Sequence, residues 1–459
     1  MPVIERYSDK FPLEKNNCVP SFERKAIEHK DLSVSFVPKS KDFSKQFFHV
    51  YLSRLQKLRP ILAEKASKKW NNVQILKLPE LENFENQQCI VIGTLFKHQM
   101  WKPSILRDLN EETQDSTNIP EKRTCYDSEK DVAYLEDEIL RIKIIGDKVN
   151  ISEIVTGVVC AVLGKTTSDG SFEVEDWCFP GCPLQQNELT PLPGKLLLLS
   201  SLDFATNTNT LSIELLIEWL SGMAGTVDAQ ENAASVVNLL IAGNSIKSAE
   251  DDIRISKGLM EARAQETAIA REISAAVTQL DKFLSQLGND CCITLMPGQY
   301  DPTNVMVPQK PIHPLMLRES RKFENIKGVG NPWMGMIGNR FVCGSSGQPI
   351  EDILRVSGET EVTPIEWLER TLNWRQFCPT APDTLPSHPY NEEDLLVMHE
   401  CPDIYFVGNM QRFETKLFKG PEGQTVRLVC IPKFSKTSTA VLVDLNTLSV
   451  TPISFGVTQ

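Results

Sequence analysis

The 459-residue chain has no run of roughly 18 apolar residues, the length a membrane-crossing helix needs. Its first residues, MPVIERYSDK, carry charges where a secretory signal needs an apolar stretch, so the expectation is an intracellular protein. Positive charge is also short: 48 Lys and Arg stand against 60 Asp and Glu, a net charge of -12. That balance argues against a general nucleic-acid binder, which needs a basic footprint to displace counterions. Histidine is scarce, at six residues, and aromatics make up only 7%. No internal repeat or low-complexity tract is evident, and the composition rules out collagen, extended disorder and coiled-coil fibre as whole-chain readings. What is there is an ordinary globular composition, 41% apolar and 24% charged. At about 150 residues per domain the length allows two to four domains.

The 12 cysteines show no disulfide framework and read as buried small hydrophobes of a reducing compartment. Cys178 and Cys182 have the spacing of half a zinc site, but a second pair with that spacing is missing. Cys291 and Cys292 are adjacent on a predicted strand and point to opposite sides, against joint chelation.

Charge is unevenly spread. Between Ser21 and Trp70 lie Arg24, Lys25, Lys30, Lys39, Lys41, Lys45, Arg54, Lys57, Arg59, Lys65, Lys68 and Lys69. The same segment predicts a helix whose stripe Phe47, Tyr51, Leu55 and Leu58 docks on the body. Its cations read either as a solvated face or as a contact for an acidic partner or passing DNA.

From residue 85 to about 180 the texture changes to short β-branched runs broken by Gly, Asn and Asp: CIVIGTLFK, ILRIKIIG, EIVTGVVCAVLG and SFEVEDWCF. They predict antiparallel strands and a five-stranded barrel of the oligonucleotide/oligosaccharide-binding (OB) type. Few aromatics and the acidic LEDE favour a protein-docking barrel over a single-strand binder, which remains an alternative. Pro180, Pro183, Pro191 and Pro193 mark a linker. Beyond it the order is strand, helix, strand: KLLLLSS, LSIELLIEWLSG and VVNLLIAGN, then a long helix from Asp251 to Leu287, then CCITLMPG and DIYFVGN. The long helix carries the stripe Ile273, Ala276, Val277, Leu280, Phe283, Leu284 and Leu287. VRLVCIPKF, TAVLVDL and SVTPISF give an antiparallel finish. The reading is an N-terminal helical, basic arm at 1–84, a barrel at 85–182, a linker at 183–194 and an α/β domain at 195–459.

Open α/β sheets place their sites in the loops at the carboxyl ends of strands. Four loops share one form: Ser200-Ser201-Leu202-Asp203, Ala242-Gly243-Asn244-Ser245, Pro297-Gly298-Gln299-Tyr300-Asp301 and Val407-Gly408-Asn409-Met410-Gln411. Their order resembles the calcineurin-like metallophosphoesterases, which place D-x-H, G-D, G-N-H-[DE] and G-H-x-H there. The resemblance implies an α/β sandwich of that fold with its ligands lost. Ser201-Leu202-Asp203 stands for D-x-H, Asn244 for the metal-bridging Asp, Gln299-Tyr300 for N-H, and Gly408-Asn409-Met410-Gln411 for G-H-x-H, while Asp301 remains. Two cations about 4 Å apart need anionic oxygen and imidazole ligands. Ser201, Asp203, Asn244, Gln299, Tyr300, Asp301, Asn409 and Gln411 therefore form a degenerate pocket, with no catalytic residue, metal or cofactor. His313, His388 and His399 have no matching motif and read as loop or core residues, with a residual polar role open for His388. Asp301 and Asp383 are expected to accept backbone N–H groups and brace their loops. The rival, a phosphodiesterase or nuclease with unorthodox ligands, requires Asp203 to matter for cleavage.

The words RLQKLRPIL, LEDEILRIKIIG, GSFEVEDWCFPG, LLIAGNS, LMPGQYDPTN, GNRFVCGSSGQPIEDI, CPTAPDTL and YFVGNMQRFETK resemble the B-subunits of the eukaryotic replicative DNA polymerases, and within them the delta-type branch. Met410-Gln411-Arg412 departs from the usual Gln-Pro of that loop. The resemblance implies a nuclear, non-catalytic scaffold. Its implied partners are the C-terminal cysteine-rich module of the catalytic subunit of DNA polymerase delta and a third subunit leading to the sliding clamp. It also implies sharing with polymerase zeta and at most indirect contact with DNA.

Overall fold

The computed structural model describes residues 22–37, 44, 46–71, 73–102, 125–186, 190–207, 209–248, 259–358, 360–389 and 394–456. Lys39, Lys41, Lys45, the expected helix start at Asp251 and most of the loop between Arg107 and Tyr126 lie outside them.

The N-terminal segment enters as β1 (His29–Asp31) and helix α1 (Phe48–Lys69). The buried face of α1 is Val50, Arg54, Leu55, Leu58, Leu62 and Ala66, packed on the outside of the barrel. The expected stripe is corrected at its start. Phe47 is 44% exposed and Tyr51 half-buried, because the helix turns Arg54 inward instead.

After β2 (Ile75–Leu76), the barrel is built from β3 (Cys89–His98), β4 (Val132–Glu136), β5 (Arg141–Ile145), β6 (Val159–Thr166) and β7 (Phe172–Cys178). Pairings β3–β4, β4–β5, β6–β7 and the closing β3–β6 are antiparallel. The expectation of antiparallel pairing throughout fails at β5–β7, which is parallel. Closure of a five-stranded barrel puts these two strands side by side with β6 running between them in sequence. Alternation then aims Val91, Leu95, Leu135, Ile144, Val162, Phe172 and Val174 inward.

The α/β body has two six-stranded sheets. One has the order β1-β12-β13-β14-β16-β15 and the other β11-β10-β9-β8-β17-β18. The strands are β8 (Lys195–Leu199), β9 (Val236–Ala242), β10 (Cys292–Met296), β11 (Ile326–Gly328), β12 (Trp333–Ile337), β13 (Arg340–Ser345), β14 (Ile404–Met410), β15 (Glu414–Lys419), β16 (Thr425–Pro432), β17 (Thr439–Asp444) and β18 (Val450–Ser454). Strand β9 is buried along its whole length. Leu239 and Ile241 face the helical layer, and Leu240 and Ala242 face the opposite sheet. That two-sided burial is why its sequence is an unbroken apolar run.

Helices α2 (Thr210–Leu220), α3 (Val227–Ala234) and α4 (Leu259–Leu287) cover the second sheet, with Ala276, Leu280, Phe283, Leu284 and Leu287 of α4 buried as expected. Helices α5 (Gln348–Ser357) and α6 (Pro364–Trp374) cover the first, where Trp367, Leu368 and Leu372 meet Tyr405, Leu428 and Cys430. A capping box of Thr363 and Glu366 starts α6. The finish is only partly antiparallel: β15–β16, β17–β8 and β17–β18 are, but β16 runs parallel to β14.

Buried polar contacts join barrel to body. The Arg54 guanidinium, 1% exposed, donates to Asp394 Oδ2 (2.7 Å) and to the carbonyls of Gly157 (3.0 Å), Pro379 (3.0 Å) and Ala381 (2.8 Å). Lys97 Nζ, on β3, donates to the Val356 carbonyl at the C-terminal end of α5 (2.9 Å). That placement pairs a cation with the negative end of a helix. Burial pushes the Lys97 ammonium down, against the pull of Asp131. Arg370 pairs with Glu153 at 2.6 Å.

Candidate functional site

The carboxyl ends of β8, β9, β10 and β14 come together as the topology requires. Four residues there have left-handed backbone: Ser201 (φ 54°), Asp203 (φ 53°), Asn244 (φ 53°) and Asn409 (φ 60°). Asn and Asp tolerate this region, whereas Ser201 holds it at a cost that surrounding bonds must offset. Ser201 N–H donates to the Gly243 carbonyl (2.9 Å), and its hydroxyl meets Ser435 Oγ at 3.2 Å. Asp203 Oδ2 accepts from Thr206 Oγ (2.6 Å) and from the Ser248 hydroxyl.

Asp301 is 4% exposed and accepts three backbone N–H groups: Gly298 at 2.8 Å, Ile246 at 2.9 Å and Ser245 at 3.3 Å. Burial pushes its carboxyl up, while the amides of Ile246, Gly298 and Ser245 favour the charged form. These bonds tie the loop after β10 to the loop after β9, as the sequence led us to expect. Among the described residues no backbone N–H donates to Asp383. Its carboxylate pairs with Lys102 Nζ, and so braces a barrel loop against the body.

Asn244 Oδ1 accepts the Tyr300 N–H (3.2 Å). Asn409 Nδ2 donates to the carbonyls of Ala242 (3.1 Å) and Ser346 (2.6 Å), and its N–H donates to Ser200 Oγ (2.9 Å). The loops touch through their glycines. A Cβ on Gly298 would lie 2.1 Å from Asn244 Oδ1, and one on Gly243 would lie 2.5 Å from Ser346 Cβ and 2.7 Å from Gly298 Cα. Gln299 and Tyr300 are half-buried beside them. Gln411 is exposed, past the end of β14, and does not join the group.

These residues do not fit a two-cation centre. Both carboxylates already have hydrogen-bond donors at their oxygens. The amide of Asn409 presents N–H groups to carbonyls where an imidazole nitrogen would have to bind. Asn409 Oδ1 and Ser245 Oγ are buried without a partner among the described residues, but they are two neutral oxygens. Hard divalent cations need more ligands, and anionic ones. Among the described residues no group of three or more His, Cys, Asp or Glu is placed to hold a metal. His313 is an ordinary loop residue whose Nδ1 accepts the Leu315 N–H (3.2 Å).

Sequence reasoning missed the polar network behind these loops. Asn331 Nδ2 donates to Gln309 Oε1 (2.7 Å), Ser346 Oγ (2.7 Å) and Gln348 Oε1 (2.9 Å). Gln309 Nε2 reaches the carbonyls of Gly298 (3.1 Å) and Asn304 (2.9 Å). Ser346 and Gln348 lie in the word GSSGQ, whereas neither Gln309 nor Asn331 sits in a recognisable motif. The basic helix also looks different in three dimensions. Arg54 is buried, Arg59 pairs with Glu138 (2.5 Å), Lys57 bonds the Asp394 carbonyl (3.2 Å), Lys68 pairs with Glu64 (2.6 Å) and Lys69 with Asp176 (2.8 Å). Lys68 and Lys69 lie on a solvated face, as one reading has it, whereas Arg54 is taken into the joint between barrel and body.

Residues 46–177 match a family model described as the DNA polymerase delta subunit OB-fold domain, and residues 196–415 match one described as the B-subunit of DNA polymerase alpha/epsilon. DNA polymerase delta subunit 2 of Drosophila melanogaster is 39% identical over 442 residues, covering 95% of this chain and 99% of that protein. The DNA polymerase delta small subunit of Arabidopsis thaliana is 33% identical over 438 residues, covering 95% and 97%. The small subunit from Saccharomyces cerevisiae is 27% identical over 464 residues, covering 91% of each. With an OB-type barrel, an α/β body and this similarity along nearly its whole length, the chain belongs to the family of DNA polymerase delta small subunits.

Proposed function

We propose that this chain is a non-catalytic scaffold of a DNA polymerase delta complex, acting in the nucleus in replication and repair synthesis. In this reading it bridges the C-terminal cysteine-rich module of the catalytic subunit and a third, clamp-linked subunit, and it touches DNA only through the assembly. The body at 195–459 is a phosphoesterase-like domain that has lost its chemistry. Ser201, Asp203, Asn244, Gln299, Tyr300, Asp301 and Asn409 descend from its ligand positions. The observation that carries the reading is the use of Asp301: a carboxylate kept at a ligand position has both oxygens turned to backbone N–H groups of neighbouring loops. Such a cleft works as a rigid joint.

The test is affinity capture of the tagged chain from nuclear extract, with identification of the bound subunits. Recovery with a catalytic polymerase subunit in near-equal amounts is expected. Recovery of the chain alone, together with manganese-dependent cleavage of bis-p-nitrophenyl phosphate that Asp203→Ala abolishes, would overturn the proposal.

A further inference from the structure

Two cysteines far apart in sequence meet where the barrel is joined to the body. Cys182 lies on the segment leaving β7, and Cys401 lies just before β14. Their sulfurs are 3.3 Å apart across 219 positions of sequence, and the residues are 2% and 5% exposed. The segment that carries Cys182 is held to the body by several hydrogen bonds. Arg375 donates to the carbonyls of Gly181 (2.7 Å) and Cys182 (3.4 Å). Gln424 Nε2 donates to the carbonyls of Cys182 (3.4 Å) and Pro183 (3.2 Å). Gln185 Nε2 bonds Asp403 Oδ1 (2.5 Å), and Gln185 Oε1 accepts the Thr425 N–H (2.9 Å). These bonds strap the segment to the body and hold the Cys182 sulfur against that of Cys401. A disulfide has its sulfurs at about 2.05 Å, so closure needs a shift of roughly an ångström.

We propose that Cys182 and Cys401 are an oxidisable dithiol that a small disulfide, such as oxidised glutathione, closes into a bond between the barrel's exit segment and the body. Cys182 donates its S–H to the Cys401 sulfur, and it gives up that proton to solvent when it attacks. The Cys182 thiolate forms a mixed disulfide and releases one glutathione thiolate. Cys401 then gives up its proton, and its sulfur displaces the second glutathione. The pair loses two protons and two electrons, and one glutathione disulfide becomes two glutathione molecules. Burial makes local opening of the strap the slow step, with exposed Leu184 (63%) beside it. In a reducing milieu the pair stays open. Under oxidation it locks the joint across 219 positions, which stabilises chiefly by constraining the unfolded chain.

The test uses the full native chain incubated with oxidised glutathione, then unfolded in guanidinium chloride containing N-ethylmaleimide, digested without reductant and mapped by mass spectrometry. A peptide pair linked through Cys182 and Cys401 is expected, with two fewer maleimides per chain, a Tm raised by several degrees and full reversal by dithiothreitol. Cys343→Ala should keep the link, because this neighbouring buried thiol is not a member of the pair, and Cys182→Ser should abolish it. Maleimide on both sulfurs, glutathione left on Cys182 without a link, capture of either sulfur by Cys343, or a link that forms only in urea would each overturn the proposal.

Discussion

Replacing Asp301 separates a brace from a metal ligand. Its carboxylate accepts backbone N–H groups at 2.8, 2.9 and 3.3 Å, and the residue is 4% exposed. Asp301→Ala leaves three buried donors with no acceptor. An orphaned buried donor costs about 1–3 kcal/mol, and the longest of the three bonds counts for less. The expected loss is therefore about 4 kcal/mol, which in a chain of this size lowers Tm by roughly 4 °C. Asp301→Asn keeps an acceptor oxygen but turns an NH2 group toward a donor, so it should fall between wild type and Ala. The assay is thermal unfolding followed by circular dichroism, with and without manganese. A brace predicts a large drop in Tm and no manganese effect on any of the three proteins. A drop under ~1 °C, or a manganese-induced rise in wild type that Asp301→Ala lacks, would refute the reasoning.

Arg54→Ala should cost about 3–5 kcal/mol in urea unfolding, because it leaves the buried Asp394 carboxylate unpaired and three carbonyls without their donor; a loss under ~1 kcal/mol would remove Arg54 from its place at the barrel–body joint. Asn409→Asp sets a carboxylate against the carbonyls of Ala242 and Ser346, so it should lower stability by about 2 kcal/mol and confer no manganese-dependent hydrolysis. Asp281 accepts from Ser320 Oγ (2.6 Å) and from the N–H groups of Ser320 (2.8 Å) and Glu319 (2.9 Å). Burial raises its carboxyl, but these hydrogen bonds outweigh burial and hold it below the usual carboxylate range. A depressed acid stabilises above its unfolded value of about 3.9 and loses that contribution as pH falls through its folded value. The deficit of Asp281→Asn measured in urea should thus be flat from neutral pH down to about 5 and shrink below about 4. A deficit that grows on acidification would contradict the assignment.

Much of the architecture was legible because burial writes a period into the sequence. The unbroken run Val236–Ala242 announced a strand covered on both faces, and the Ile273 to Leu287 stripe announced a helix on a sheet. The four strand-end loops were legible because their small and turn-forming residues differ from the strands before them. Pairing direction was not, since parallel β5–β7 depends on how the barrel closes and leaves no local trace. The fate of single cations was hidden for a similar reason. Arg54 is one Arg among many basic residues, and only the carbonyls of Gly157, Pro379 and Ala381, over a hundred positions away, make it a core residue. Gln309 and Asn331 were missed because a neutral amide has the same letter on a surface and in a buried network. Gln411 was carried into the pocket by its place in a motif, but the chain has left the cleft by that residue.

In the proposed reading the cleft at the ends of β8, β9, β10 and β14 is a closed joint that holds no pair of cations. Anomalous diffraction from a crystal of the chain soaked in manganese tests it most directly. No ordered manganese is expected within bonding distance of Asp203, Asn244, Asp301 or Asn409. Two well-occupied manganese peaks about 4 Å apart beside Asp203 and Asp301 would contradict it.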